Sequence, residues 1–288
     1  MILSLRQIKS RIKSVESTKK ITRAMQMVST AKFKRSEQML ETGRPYYRKL
    51  DSILIKLLLS LSPEQLKAHP LLEERDGARK FALCMITSDS GLCSVYNNNI
   101  IRLTEKMLKQ HGRENVRIIA VGRKGFVHFS KRGAQIVKSY IGLHGRYSAE
   151  TADRIAKDMI DMFLNHEADE IYIAHSHFES ATKYKPDIRK FLSITPPHPV
   201  KGEMEFIADP GIDEILKDLI PRYLSVKMRL ILLDAFTTEH SSRMIAMQSA
   251  TDNAVELIDS LTMLRNKARQ ASITNQVLEV ASSAEALK

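Results

Sequence analysis

Residues 226–268 read VKMRLILLDAFTTEHSSRMIAMQSATDNAVELIDSLTMLRNKA, and one interval runs through them. Val226, Leu230, Leu233, Thr237, His240, Met244, Met247, Thr251, Ala254, Ile258, Leu261, Arg265 and Ala268 follow one another at alternating steps of four and three. A sustained 3.5-residue period belongs to a helix that supercoils left-handedly about a partner. From Arg222 to Lys288 the chain has no Gly and no Pro. At 1.5 Å per residue such a helix reaches ~100 Å, whereas a domain of ~130 residues is 30–40 Å across. Most of the helix is therefore expected to project, with its seam covered by another helix.

The other end of the chain supplies a matching seam. Residues 1–42 also lack Gly and Pro. Leu5, Ile8, Ile12 and Val15 form a narrow apolar stripe, which after a short step through Thr18 resumes at Ile21, Met25 and Val28. Gly43-Arg44-Pro45 predicts a kink or break, with a second helix from Tyr46 to Leu61 and a connecting loop from Ser62 to Gly77. An antiparallel coiled coil of the two chain ends is the expected arrangement. The polar seam residues Thr237, His240, Thr251 and Arg265 would be costly in an obligate apolar pair. They suit a pair that sits in a surrounding sleeve without adhering to it strongly.

Between these ends the period changes. Runs of β type occur at 80–87, 116–121, 135–140 and 170–175, with helical patterns at 97–111, 123–132 and 149–166. Strand–helix alternation predicts a small, mostly parallel, Rossmann-like α/β domain. Thr195-Pro-Pro-His-Pro199 closes it. The expected organisation is a terminal helix and following helix in 1–61, a linker in 62–78, the α/β domain in 79–205 and the long C-terminal helix in 206–288.

Charge is unevenly placed. The first 50 residues hold thirteen Lys or Arg against Glu16, Glu37 and Glu41, so ten of the twelve net positive charges lie there. An acidic partner for this arm is implied: nucleic acid, an anionic membrane or an acidic protein surface. Cys84 and Cys93 make neither a disulfide framework nor a zinc signature and are expected to be reduced and intracellular. The start of the chain turns charged too early for a signal peptide. The longest apolar run, Ile53 to Leu61, contains Lys56 and is far shorter than the ~20 residues that span a bilayer.

The chemical motifs are weak. Ser88-Asp-Ser-Gly-Leu-Cys93 sits between a strand and a helix, where phosphate loops occur, but it has one glycine and no lysine; a structural turn is the expected role. Gly122-Arg-Lys-Gly125 is no stronger. His175-Ser-His177 places two imidazoles on one strand face, yet no third metal ligand has a fitting spacing, and a polar strand end is expected. No Walker motif, nucleophile–base pair or zinc-protease motif is present. No catalytic residue, cofactor or metal is predicted.

Three longer stretches carry a family resemblance: Lys19-Lys-Ile-Thr-Arg-Ala-Met-Gln-Met-Val28, Arg243-Met-Ile-Ala-Met-Gln-Ser-Ala-Thr-Asp-Asn253 and Asn266-Lys-Ala-Arg-Gln-Ala-Ser-Ile-Thr274. They closely resemble the γ subunits of F-type ATP synthases, and the likeness spans the whole chain. The resemblance implies a rotor shaft within a ring of α and β subunits. It implies an α/β domain against the ε subunit and the c-ring, and a peripheral position on the cytoplasmic face of a bacterial plasma membrane. It assigns Lys9, Arg11, Lys19, Lys20, Arg23 and Met25, with Arg269, Gln270 and Thr274, to contacts with the α/β ring. It assigns Ile207 and Asp209 to the ε and c-ring side. ATP chemistry would belong to the β subunits.

The chain also departs from the family pattern. Asp89-Ser90-Gly91-Leu92-Cys93-Ser94-Val95 replaces the usual Asp-Arg-Gly-Leu-Cys-Gly-Gly, and Ile207-Ala208 stands where an acidic residue is frequent. The regulatory cysteine insert of chloroplast members is absent. Two other readings remain at this stage: a basic helical nucleic-acid-binding protein, which would show steeply salt-dependent binding, and a nucleotide-binding enzyme built on the α/β domain.

Overall fold

The computed structural model describes residues 4–73, 75, 77, 80–194 and 211–286. The elements, in order, are α1 (Leu5–Leu59), α2 (Pro63–Ala68), β1 (Phe81–Ile86), α3 (Tyr96–His111), β2 (Val116–Val121), α4 (Arg123–Ser130), β3 (Ile136–Tyr140), α5 (Ala149–Leu164), β4 (Glu170–Ser180), β5 (Lys183–Leu192) and α6 (Ile212–Ala286). The Pro-rich stretch 195–199, and Ile207, Ala208 and Asp209, lie outside the described residues. The chain divides into two compact units, one from residues up to Ser29 with those from Met244, the other from Thr30 to Arg243. Both α1 and α6 contribute to each.

The larger unit is built on a five-stranded sheet of order β3-β2-β1-β4-β5. β1, β2, β3 and β4 pair in parallel, and β5 runs antiparallel to β4. Both faces are covered, as a parallel sheet requires. Ala82, Cys84 and Ile86 of β1 pack with α5 and with parts of α1 and α6, through Ile155, Leu54 and Leu224. The alternate residues Phe81, Leu83 and Met85 pack on the other face against Ile100 and Met107 of α3 and Phe129 of α4. The two-residue period of the strand thus feeds two cores.

The fifth strand has no clear sequence signal. Lys183–Leu192 carries five Lys, Arg or Asp residues and Pro186. It forms because β4 offers a free edge, joined to it by a two-residue turn. Pro186 sits opposite Ser176 on an edge strand, where a missing N–H is tolerated. Likewise the expected 62–77 loop contains α2, started by a capping box in which Ser62 and Gln65 bond reciprocally.

The predicted break at Gly43-Arg44-Pro45 does not occur. α1 passes through Pro45 as one helix of 55 residues. An interior proline costs about 3 kcal/mol, and packing offsets it here. Leu40, Leu54 and Leu58 are almost fully buried around it. Arg44 bonds the Phe178 carbonyl at 2.9 Å and Asp234 at 3.2 Å, clamping this turn to β4 and α6. The long C-terminal helix, which begins at Ile212, passes through Pro221 in the same way, because Leu216, Ile220 and Leu224 are buried on both sides of the proline.

In the smaller unit the two helices run antiparallel. Ile8 and Ile12 cluster with Leu261 and Ala268. Further along α1, Thr22 meets Thr251 and Gln26 meets Gln248, so each advance in α1 is matched by a retreat in α6. The α6 series holds: Met247, Thr251, Ala254 and Leu261 are buried at the expected steps. The resumed α1 stripe does not. Ile21 and Val28 are each 58% exposed, while Thr22 and Ser29 are buried. The 3.5-residue period counted from Ile8 continues through Thr22 and Ser29 without a reset at Thr18. Helix pitch, not side-chain polarity, chose the seam.

Gly122 shows where the sheet demands a particular residue. Its φ is +88°, and a Cβ there would lie 2.0 Å from the Thr87 carbonyl oxygen. At Gly133, with φ +70°, a Cβ meets nothing within 4 Å. Gly133→Ala should cost about 1 kcal/mol, the usual penalty for a left-handed alanine. Gly122→Ala should cost several times more, because β1 and β2 must separate. Urea unfolding followed by circular dichroism separates the two.

Candidate functional site

Two features invite a functional reading: the surface of the helical pair, and a buried polar band where α6 crosses the sheet unit. On the pair, Lys9, Arg11, Lys20 and Arg23 are exposed, and Lys19 and Met25 are half-buried beside the seam. Arg269, Gln270 and Thr274 are exposed on α6, where the Thr274 hydroxyl donates to the Gln270 carbonyl at 3.0 Å. From Arg269 to Ser283 every residue of α6 is exposed. These include Ile273, Val277, Leu278 and Val280, at 53–70% exposure. A lone helix of this length is marginal in water, and a run of bare aliphatic residues marks a surface that a partner covers.

The seam between the helices is polar at its middle. The Thr22 and Thr251 hydroxyls are 2.8 Å apart, and Thr251 also donates to the Met247 carbonyl at 2.8 Å. The Gln26 amide bonds the Gln248 side chain, which in turn donates to Asp252 at 2.8 Å.

In the sheet unit, every residue of α6 from Leu232 to Arg243 is buried, although most from Thr237 onward are polar. Surrounding backbone carbonyls accept from Thr238, His240, Ser241 and Arg243, whereas the Thr237 and Ser242 hydroxyls have no bond partner. Arg243 bonds the carbonyls of Ser90 and Gly91 at 3.2 and 3.3 Å and the Glu239 carboxylate at 2.8 Å. His240 Nε2–H donates to the Gly145 carbonyl at 2.9 Å, which places the proton on Nε2 and leaves Nδ1 bare. Gly145 has φ +65°, and a Cβ there would come within 2.5 Å of the His240 ring. Thr238 bonds the Ser176 carbonyl, and the Tyr96 hydroxyl donates to the Ala235 carbonyl at 3.2 Å.

In the 88–94 turn the Asp89 carboxylate is held by the backbone of two other segments. Asp89 accepts the backbone N–H groups of Arg123 and Gly142 at 3.0 Å and of His144 at 2.7 Å. Burial opposes ionisation of Asp89, but these three bonds outweigh it and hold the carboxyl below its ordinary range. The N–H group of Arg123, in the second glycine-containing turn, therefore holds a side chain. Burial raises the pKa of Glu239, against the pull of Arg243, and lowers that of Lys32, against the pull of Glu239.

Sequence reading found the His175 and His177 pair but missed its third member, Asp234. His175 and His177 of β4 meet Asp234 of α6, with His177 Nδ1 2.6 Å from Asp234 Oδ2. No sequence spacing marks a contact across 57 residues between a strand and a helix. Glu239 and Lys32 were missed for the same reason.

Comparison with known proteins agrees with the helical pair and its α/β unit. The ATP synthase family profile matches residues 4–287. The chain is 38% identical over 284 residues to the ATP synthase gamma chain of Moorella thermoacetica and 39% identical over 289 residues to that of an Anaeromyxobacter species, covering 99% of each chain in both cases. Among solved structures, a chain of the Euglena gracilis mitochondrial ATP synthase assembly of OSCP, F1 and c-ring superposes with a TM-score of 0.72 at 16% identity, covering 98% of this chain and 94% of that one. A chain of the Tetrahymena thermophila central stalk and c-ring gives a TM-score of 0.64 at 24% identity, covering 80% of this chain and 99% of that one. The fold is thus that of an ATP synthase central-stalk chain. On its full-length sequence match, the chain belongs to the ATP synthase gamma chain family. The nucleic-acid-binding alternative finds no support in these matches. No helix among the described residues is long and apolar enough to cross a membrane.

Two outcomes are expected. Thr22→Val and Thr251→Val should each cost up to ~1 kcal/mol, and the double variant should recover most of it, because removing both hydroxyls leaves neither group unpaired. Helical circular dichroism in urea gives the cycle. Second, burial lowers the pKa of His240 from 6.5 to about 4, opposed by its bond to Gly145. An unfolded chain binds this proton first as pH falls. The stabilisation is therefore complete above about pH 6.5 and lost as pH drops toward 4. His175, lowered by burial to about 3, acts in the same direction. His240→Gln should flatten the fall of unfolding free energy between pH 6.5 and 4.5.

Proposed function

We propose that this chain is the rotating central shaft of an F-type ATP synthase, coupling ion-driven rotation of a c-ring to ATP synthesis or hydrolysis in a ring of α and β subunits. One observation carries the reading. α6 continues past the last seam residue, Ala268, as a single helix exposed on all sides and studded with aliphatic residues. Such a segment needs a surrounding sleeve. The full-length likeness to gamma chains supports a ring of α and β subunits as that sleeve.

The chain itself contributes no catalytic residue; nucleotide chemistry lies in the ring. Its work is mechanical. A shaft shifts the conformation of each surrounding subunit only if it contacts different conformations with different free energy at each angle. Arg269, Gln270 and Thr274 offer hydrogen bonds that form at one angle and release at the next. Lys9, Arg11, Lys19, Lys20 and Arg23, with Met25, meet acidic loops of the ring. Exposed charge contacts are worth about 0.2–1 kcal/mol each, which suits contacts broken in every turn. Ile207 and Asp209 are assigned to the side facing the ε subunit and the c-ring. The chain is then peripheral, held at the cytoplasmic face of a bacterial plasma membrane through the c-ring.

The test is co-purification of the matching α and β subunits with and without this chain, followed by ATP hydrolysis. Turnover should depend on the chain, and Arg269→Ala with Gln270→Ala should lower it roughly fivefold, from two lost contacts of this size. A chain that neither co-purifies nor alters turnover would rule the reading out.

A further inference from the structure

β4 carries His175 and His177 two residues apart, so both rings stand on one face of the sheet. That face also packs Ile171 and Ile173 against α6. α6 brings Asp234 to them, and one ligand atom from each of the three lies within 4.8 Å of the others. All three open on a cavity of about 660 Å³ between β4, β5, α1 and α6.

The three residues are not equally satisfied. His177 Nδ1 and Asp234 Oδ2 are 2.6 Å apart, and Asp234 Oδ1 accepts from Arg44 at 3.2 Å. His175 is 2% exposed, lines the cavity, and its Nδ1 has no hydrogen-bond partner. Most buried polar atoms in folded proteins have a hydrogen-bond partner.

We propose that His175, His177 and Asp234 bind a zinc-class divalent cation. Two imidazoles and one carboxylate suit zinc, cobalt or nickel, whereas magnesium and calcium favour oxygen ligands alone. Bond lengths of about 2.0–2.2 Å put tetrahedral ligands about 3.4 Å apart. The His177–Asp234 pair, 2.6 Å apart, must open by about 0.8 Å, and separations of up to 4.8 Å must close by about 1.4 Å. Arg44, bonded to one carboxylate oxygen, orients Asp234 and leaves the other oxygen for the ion, as outer partners of metal ligands do. The cation replaces the proton shared by His177 and Asp234.

The fourth position faces the cavity, whose wall carries Arg48, Arg189, Lys190 and Lys227. Those charges oppose a bare dication and favour an anion as the fourth ligand, hydroxide or a small carboxylate. A bound ion ties β4 to α6 directly and braces the sheet against the long helix. The site stands independently of the rotor reading.

The experiment uses the full chain without a histidine tag, stripped with chelator and titrated with Co²⁺ while visible absorption is recorded. One Co²⁺ per chain is expected, with a tetrahedral visible band that Zn²⁺ abolishes by displacement. At a hundredfold excess over the dissociation constant, Zn²⁺ should raise the melting temperature by ~5–10 °C. His175→Gln and Asp234→Asn should each lower affinity at least tenfold, the scale at which a ligand is lost. Arg44→Met, which removes the group that orients Asp234, should weaken binding about tenfold. Should His175→Gln fail to fold, X-ray absorption of the Co²⁺-loaded unsubstituted chain counts the imidazoles directly, and two are expected. No saturable binding at one per chain, wild-type affinity in a folded His175→Gln, or a spectrum without imidazole ligands would each overturn the proposal.

Discussion

A helix buried on every side, yet built largely from polar residues, is the constraint on which the sheet unit depends. From Thr237 to Arg243, α6 runs Thr-Thr-Glu-His-Ser-Ser-Arg, and all seven residues are buried. An unpaired polar group in such a place costs ~1–3 kcal/mol. The surrounding loops answer with backbone carbonyls: Ser90, Gly91, Gly145, Ser176 and Ala181 each accept a bond from this stretch. The loops are fixed in turn, Asp89 by three N–H groups and Gly145 by its closeness to the His240 ring. Hydrogen bonds are directional where apolar packing is not. A helix held this way resists turning or sliding against its sheet.

The helical pair obeys a different rule. Its seam holds apolar residues at one end, Ile8, Ile12 and Leu261, and hydroxyl and amide pairs further along. Polar seam pairs lower stability but fix register, because a shifted pairing leaves a hydroxyl or amide unmatched. The outer surface carries single charges and exposed aliphatics.

Two prolines mark the limits of local propensity. Pro45 and Pro221 each lie inside a helix. Each is flanked by fully buried leucines or isoleucines, and the burial of several such side chains at about 1.5–3 kcal/mol apiece exceeds the cost of one lost helical bond. Pro186 is accepted by a different route, on the open side of an edge strand.

Periodicity alone determined much of this protein. The heptad series of α6, the position of β2 and the parallel α/β core were legible because a repeat of 3.5 or 2.0 residues is written directly into the order of side chains. The long motifs near both ends carried the family. What the sequence left out depends on contacts between distant segments. β5 is a strand only because β4 presents an edge. Ile21 and Val28 lost the seam to Thr22 and Ser29 because the pitch of a helix pair, set by both helices together, chose the inward face. The meeting of His175 and His177 with Asp234, and of Arg243 with the 88–94 turn, required the sheet to place a strand and a loop against a helix far along the chain. Spacing in sequence records which residues share an element; only tertiary packing decides which elements face each other.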